Sequence, residues 1–460
     1  MPIFLNSTAR QGLPESNLRL LLAMTFTLIS SVLFTLSAAT ADNGAAEVLA
    51  ASPEDRRAQA PALAVTSDGT VHVIWIDKGA VGEADRKGAK VKGTHHSHQA
   101  FADLYYARLL PDAGTFSDVQ MLNPEPGQVW GFSISRPVMA TDAMDRVHIV
   151  YPVNGTSPET GKSVASSFYT RSTDLGGHFD PPTQLNRDPT EDLSALIMGG
   201  LAQAQVFGGL AVSPEGSVHT FWLDTRGMDA SMRAALYYRR SDNGGAEFGE
   251  EVRIQENNQC PCCQISAVAQ DESSLFVSAR QIHGDNIRTP MMMHSGDGGA
   301  SFSSPVVMGG TPWRLEGCPL KLTAMAVTGS RVHSLVHNGA EEPPGLLYSH
   351  ALDDAGSFIT PKKIHPDAAI SDSPAMASSG QMLLAVWHAK ENGPRQIFYR
   401  FSLDGGETFL PVQRFDTGEA SVGYPAVATA PDGRFVVAWQ ADEVIHVTYL
   451  NAPQQTVAGL

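Results

Sequence analysis

One eight-residue pattern, S-x-[DN]-x-G-x-x-F, constrains the fold more than any other feature of the chain. It appears as STDLGGHF (Ser172–Phe179), SDNGGAEF (Ser241–Phe248), SGDGGASF (Ser295–Phe302) and SLDGGETF (Ser402–Phe409). Two worn copies end at Phe116 and Phe358 and keep the turn and the aromatic residue. In such a turn the Asp or Asn side chain accepts backbone N–H groups, and glycine takes a left-handed conformation without steric cost. The last Phe is expected to pack beneath the turn. Each copy follows an aromatic-rich run such as DLYYARL, SSFYTRS, ALYYRRS or QIFYRFS; in TPMMMHS methionines stand in their place. Repeats of this length cannot bury an apolar face alone, so they stack on one another.

The rest of each repeat is equally regular. A second-strand pattern recurs as VHVIWID, VHIVYPV, VHTFWLD, LFVSARQ, VHSLVHN, LLAVWHA and FVVAWQA, and an inner strand such as PALAV, PVMAT or PAVAT precedes each. That gives seven units but six turns of the repeated type. The seventh unit ends at VIHVTYL (Val444–Leu450) with no outer strand after it. Glu47–Ala50, which leads into the first inner strand, is the candidate to supply it. Such a pairing removes two exposed sheet edges. The recurring histidines (His72, His148, His219, His333) and tryptophans (Trp75, Trp222, Trp387, Trp439) hold fixed positions in the second strand. They read as packing between units rather than as ligands.

The pattern is the Asp-box, and the chain resembles the sialidase-like β-propeller superfamily over nearly all of residues 42–460. The resemblance implies an all-β fold: a single closed β-propeller of four-stranded blades, seven by the count of units, or six if one is degenerate. It also implies that Asp174, Asn243, Asp297 and Asp404 of the boxes are structural, not catalytic.

Residues 1–41 read as a signal peptide. A leader with Arg10 and Arg19 precedes the apolar run Leu20–Leu36, and Ala39 and Ala41 form an A-x-A-like cleavage site, so the mature domain is expected to begin near Asp42. The competing reading is an uncleaved anchor. Cleavage makes the protein exported, periplasmic or extracellular, with no membrane span in the remainder. Acidic residues outnumber basic ones 48 to 32, with no Lys/Arg cluster, which argues against nucleic acid as a partner. The expectation is a monomer that takes a glycan or protein ligand at the mouth of the channel. One segment with helical character, Thr190–Gln205, is interrupted by Gly199 and Gly200.

Three of the four cysteines fall in QCPCCQIS (Cys260, Cys262, Cys263), before the fourth inner strand. Cys318, in EGCPLKL, precedes the fifth. In a propeller these are equivalent positions on adjacent blades, so Cys318 is expected beside the triplet. Three readings stand: a disulfide brace, a copper or zinc site, and a redox-active disulfide. His95, His96, His98 and Met291–His294 are further soft or imidazole donors, although the methionines suit core filling.

The other inner-strand approaches carry Arg136, Asp372 and Tyr424, and Arg314 lies ahead of Cys318. Members of the resembled family that cleave sialic acid hold its carboxylate with three arginines and use a tyrosine nucleophile and an Asp acid/base. The resemblance therefore implies catalytic roles for Tyr424, Asp372 and Arg136 if the chain is an exo-sialidase or another glycoside hydrolase, and ligand-binding roles for Arg136 and Arg314. The family's F/Y-R-I-P arginine signature is absent; SRPV at Ser135–Val138 is the nearest string.

Overall fold

A computed structural model describes residues 47–80, 101–157, 161–187, 203–228, 231–340, 344–352, 356–366, 370–418 and 420–453. The leader, His95, His96, His98 and most of Thr190–Gln205 lie outside these. Among the described residues every regular element is a β-strand, so the fold is all-β.

The strands group into seven antiparallel four-strand units. The inner strands are Arg56–Val65, Val138–Thr141, Gln203–Val212, Ser266–Ala269, Thr323–Thr328, Ile370–Ser379 and Val422–Thr429. Each pairs with a second strand, beginning at Val71, Val147, Val218, Leu275, Arg331, Met382 and Phe435 respectively. A third strand follows in every unit, and in six of them an outer strand comes after the Asp-box position, of two residues in five and of eight (Val252–Gln259) in the third unit. In the seventh the outer strand is Leu49–Ala50, whose residues pair with Val447 and His446. The neighbouring backbone extends this junction: Ala51 N–H donates to the Ile445 carbonyl at 2.7 Å, and Thr448 Oγ1 to the Glu47 carbonyl at 2.9 Å. The N-terminal segment thus completes the last sheet, over a shorter ladder than Glu47–Ala50.

The two faces of each second strand do different work, because residues three apart on a strand point to opposite faces. On one face the tryptophan stacks on its cross-strand partner: Trp75 on Tyr105, Trp222 on Tyr237, Trp387 on Phe398 and Trp439 on His446. That face packs on the preceding unit, as with Trp222 on Val150 and Tyr169. The first unit follows the same rule, since Trp75 packs with Val436, Ala438 and Ile445 of the seventh.

On the opposite face His72, His148, His219 and His333 are buried. Each places Nδ1 2.7–2.8 Å from a tyrosine hydroxyl of the third strand, Tyr106, Tyr169, Tyr238 and Tyr348. The Asp-box of the following unit sits on that tyrosine. Phe179, Phe248, Phe302 and Phe409 meet the four tyrosine rings edge-on at centroid distances of 4.7–5.3 Å. The box Phe therefore packs against the preceding unit and not merely under its own turn.

Within the box, the serine Oγ accepts the N–H of the fifth-position glycine at 2.7–2.9 Å. The same Oγ donates to the Asp or Asn at 2.7–2.8 Å. Asp174, Asn243, Asp297 and Asp404 also accept a backbone N–H from the seventh position. These side chains are spent on the turn. The box is a clasp between neighbouring units.

Candidate functional site

Residues from the inner strands of all seven units line one cavity of about 220 Å3, among them Pro61, Arg136, Ile265, Thr323, Pro374 and Pro425. Each inner strand packs on those of the units before and after it, and Arg56–Val65 packs on Val422–Thr429. The approaches to these strands share a distortion. Register shifts interrupt the pairing at Gln59/Ala62, Val206/Gly209, Asp372/Ala375 and Gly423/Ala426. At each shift one non-glycine residue has positive φ: Ala60 (55°), Phe207 (57°), Ser373 (49°) and Tyr424 (53°). Leu320 (53°) repeats this ahead of the fifth inner strand. Left-handed backbone at a non-glycine residue costs on the order of 1 kcal/mol or more, and it clusters at functional sites.

The inner-strand approaches bring together three of the residues singled out in the sequence. Arg136 lines the cavity, and Nη1 donates to the Pro425 carbonyl at 3.3 Å. Among the described residues no carboxylate pairs with it; burial pulls its pKa down to about 10, so it stays charged at neutral pH. Tyr424 lies close enough to Arg136 to interact electrostatically with it. The Tyr424 N–H donates to His388 Nδ1 at 3.1 Å, and the two rings meet edge-on at 5.2 Å. The Arg395 guanidinium lies over the Tyr424 ring at 5.3 Å.

Asp372 is the cross-strand partner of His388 and forms an ion pair with Lys321. Burial alone would raise its pKa, but the Lys321 ammonium outweighs that and holds it below the usual carboxylate range. His388 and His337 are held neutral by burial, at about 3 and about 4. Among the described residues, Ser135 Oγ, Gln264 Oε1 and Ser373 Oγ at these approaches, and Arg395 Nε beside Tyr424, are buried without a hydrogen-bond partner.

Arg314 is not part of this group. It is exposed and pairs with Asp285 at 3.1 Å and Glu316 at 3.3 Å. Its place ahead of Cys318 puts it on an exposed loop, where Asp285 and its near neighbour Glu316 pair with it. Sequence reading missed Lys321 and His388, and does not place Arg395 at the site because it follows a second strand. Lys321 follows the strained Leu320, and that approach gave a usable signal; His388 and Arg395 sit at the far end of a second strand and beyond it.

The cysteines form a second group beside the first. Cys260, Cys262 and Cys263 are buried in one apolar cluster with Phe207, Ile265 and Leu322, against which Tyr424 and Leu320 also pack. Sγ of Cys260 lies 3.4 Å from that of Cys262 and 3.9 Å from that of Cys263. Cys318 is an exposed residue near Cys260 and Cys262, outside the group of three Sγ atoms that lie within 4.8 Å of one another. Interaction with those neighbouring thiols brings the Cys318 pKa down to about 4, while burial pushes Cys263 up to about 12. None of the four is bridged. Met291–Met293 lie buried in the apolar clusters.

Repeated clasps, an all-β chain and polar groups at the inner-strand approaches define a sialidase-like repeat protein. The BNR repeat-like domain family matches residues 120–437, and the protein belongs to that family. No curated protein matches the sequence. Among solved structures, an ulvan lyase of a polysaccharide lyase family is 13% identical, with 86% of this chain and 93% of that chain covered and a TM-score of 0.51. A Hadza microbial sialidase is 15% identical over 77% of this chain and 74% of its own, TM-score 0.48. The intramolecular trans-sialidase of Ruminococcus gnavus is 12% identical over 90% and 98%, TM-score 0.46. At these identities the likeness is one of fold.

Proposed function

We infer that the seven units are the blades of one closed ring, and that the cavity end bearing Arg136, Tyr424, Asp372 and Lys321 binds a carboxylate-bearing sugar of a glycan. The ring reading is supported by the same tryptophan contact between the first and seventh units as between the others, and by the one cavity that all seven inner strands line. The observation that carries the ligand reading is Arg136, a charged guanidinium that lines the cavity with no carboxylate partner among the described residues. Arg136 is half-buried; holding an unpaired charge partly away from water is costly, and an anionic ligand offsets that cost. Arg395 supplies a second cation and an unpartnered Nε beside the Tyr424 ring. The leader at residues 1–41 suits a glycan-facing protein that works outside the cytoplasm.

Calorimetric titration of the protein with a free sialic acid, a uronic acid and a neutral hexose tests this reading. Saturable binding of an acidic sugar and none of the hexose is expected. Binding that ignores the carboxylate counts against it.

A second reading, hydrolysis, is favoured by the presence of Tyr424 and Asp372 in the same group as Arg136. It predicts fluorophore release from a sialic-acid conjugate that Tyr424→Phe abolishes. No turnover across several sialyl linkages leaves the binding reading alone.

A further inference from the structure

Two buried arginines beside the cysteines have no carboxylate. Arg280 and Arg288 are 4% and 8% exposed. Among the described residues neither forms an ion pair with Asp or Glu. Arg280 donates to the carbonyls of Arg288 and His337 and lies over the Trp313 ring. Arg288 donates through Nε to the Leu315 carbonyl and through Nη1 to Cys260 Sγ at 3.1 Å. Carbonyl oxygens satisfy the N–H groups but not the charge, and a buried cation calls for an anion. The thiols are the groups at hand that can become one. Arg288 touches Cys260, and Arg280 acts electrostatically on Cys263.

The sulfur separations say what the thiolates would surround. Donors about 2.3 Å from one tetrahedral ion stand about 3.8 Å apart from each other. The observed 3.4 and 3.9 Å fall on either side of that value, and all three buried Sγ atoms lie within 4.8 Å of one another. A divalent ion with four thiolates leaves two negative charges, as does a monovalent one with three thiolates and the fourth cysteine kept as a neutral thiol. Arg280 and Arg288 balance them.

We propose that Cys260, Cys262, Cys263 and Cys318 hold one soft closed-shell metal ion, Cu(I) or Zn(II), as a thiolate centre joining the fourth and fifth units. Three ligands come from the approach to one inner strand and the fourth from the approach to the next. The metal therefore pins two neighbouring units on the side where Tyr424 packs. Thiolate donors select these ions over hard cations, and loading releases the thiol protons to solvent. This inference does not depend on the glycan reading: metal retention and sugar binding are separate measurements.

The test uses the full chain, reduced with a phosphine under anaerobic conditions. One portion is titrated with Cu(I) against a bicinchoninate competitor and another with Zn(II) against a chromophoric chelator. One equivalent retained in either arm is expected, with the arm of tighter retention identifying the ion. Co(II) loading should give sulfur-to-metal charge-transfer absorption. Cys318→Ser, at an exposed position that folding tolerates, should weaken retention at least ten-fold, and Arg288→Met should weaken it while leaving four titratable thiols. Far-UV circular dichroism confirms folding of each variant. Four freely reacting thiols with no retained metal would overturn the proposal. So would a native Cys318 disulfide found by unreduced mass mapping, or retention that Cys318→Ser leaves unchanged.

Discussion

Gly406 meets two constraints at once. Its φ of 82° lies where a side chain is strained, and a Cβ there would overlap the Tyr348 hydroxyl of the preceding unit. Gly176, Gly245 and Gly299 stand in the same relation to Tyr106, Tyr169 and Tyr238. Gly406→Ala is therefore expected to cost about 2–4 kcal/mol, combining backbone strain with overpacking. Tyr348→Phe should recover part of this loss, although it also removes the bond to His333. Urea unfolding of the two single variants and the double variant measures the coupling. Additive losses would mean that the glycine answers only to its backbone.

The buried histidines set the response to acid. Burial depresses His72 and His219 to about 4 and His333 to about 3, from an ordinary value of 6.5. The unfolded chain then binds more protons than the folded one between these values. Stability is constant above about pH 6.5 and falls as pH drops towards 4, by about 1.4 kcal/mol per unit of depression for each histidine. His219→Gln should flatten the fall of melting temperature across that window. An unchanged slope would assign the acid sensitivity elsewhere.

Among the strands, the N-terminal one has the largest consequence for its size. Leu49–Ala50 covers the edge of Val444–Leu450, and Ile445 N–H donates to Ser52 Oγ at 2.8 Å. Deleting residues 43–52 removes these bonds and the buried Ala51, a loss on the order of 3–5 kcal/mol. A truncation ending at Asp42 is the control. Equal melting temperatures for the two would show that the pairing contributes nothing.

The strands were legible from sequence because box, aromatic run and V-H pattern each recur at fixed offsets, so that one unit explains the next. The approaches to the inner strands were legible as places, which is how Arg136, Asp372, Tyr424 and the cysteines came into view. Their partners were less so. His388 reaches Tyr424 because a register shift at Gly423/Ala426 turns the Tyr424 N–H towards it, and no pattern of residue types announces a bulge. Arg288 stands 28 residues from Cys260 in sequence, and it is the fold that lays its guanidinium on the Cys260 thiol. Arg314 misled for the opposite reason, since nearness to Cys318 in sequence does not fix the side on which a loop residue points.

Taken together, the seven units present a cavity lined by all seven inner strands, with Arg136 at it, unpaired with any carboxylate among the described residues, and a thiol cluster beside it. Arg136 is the residue on which the glycan reading depends, so its contribution decides the matter. Calorimetric titration of an acidic sugar into the protein and into Arg136→Met, at one pH and ionic strength, measures it. The expected result is a single site whose affinity falls about 10- to 100-fold in the variant, the loss of a charge-assisted hydrogen bond of about 1.5–3 kcal/mol, with both proteins equally folded. An affinity that Arg136→Met leaves unchanged, or no binding of any acidic sugar at millimolar concentration, would contradict the account.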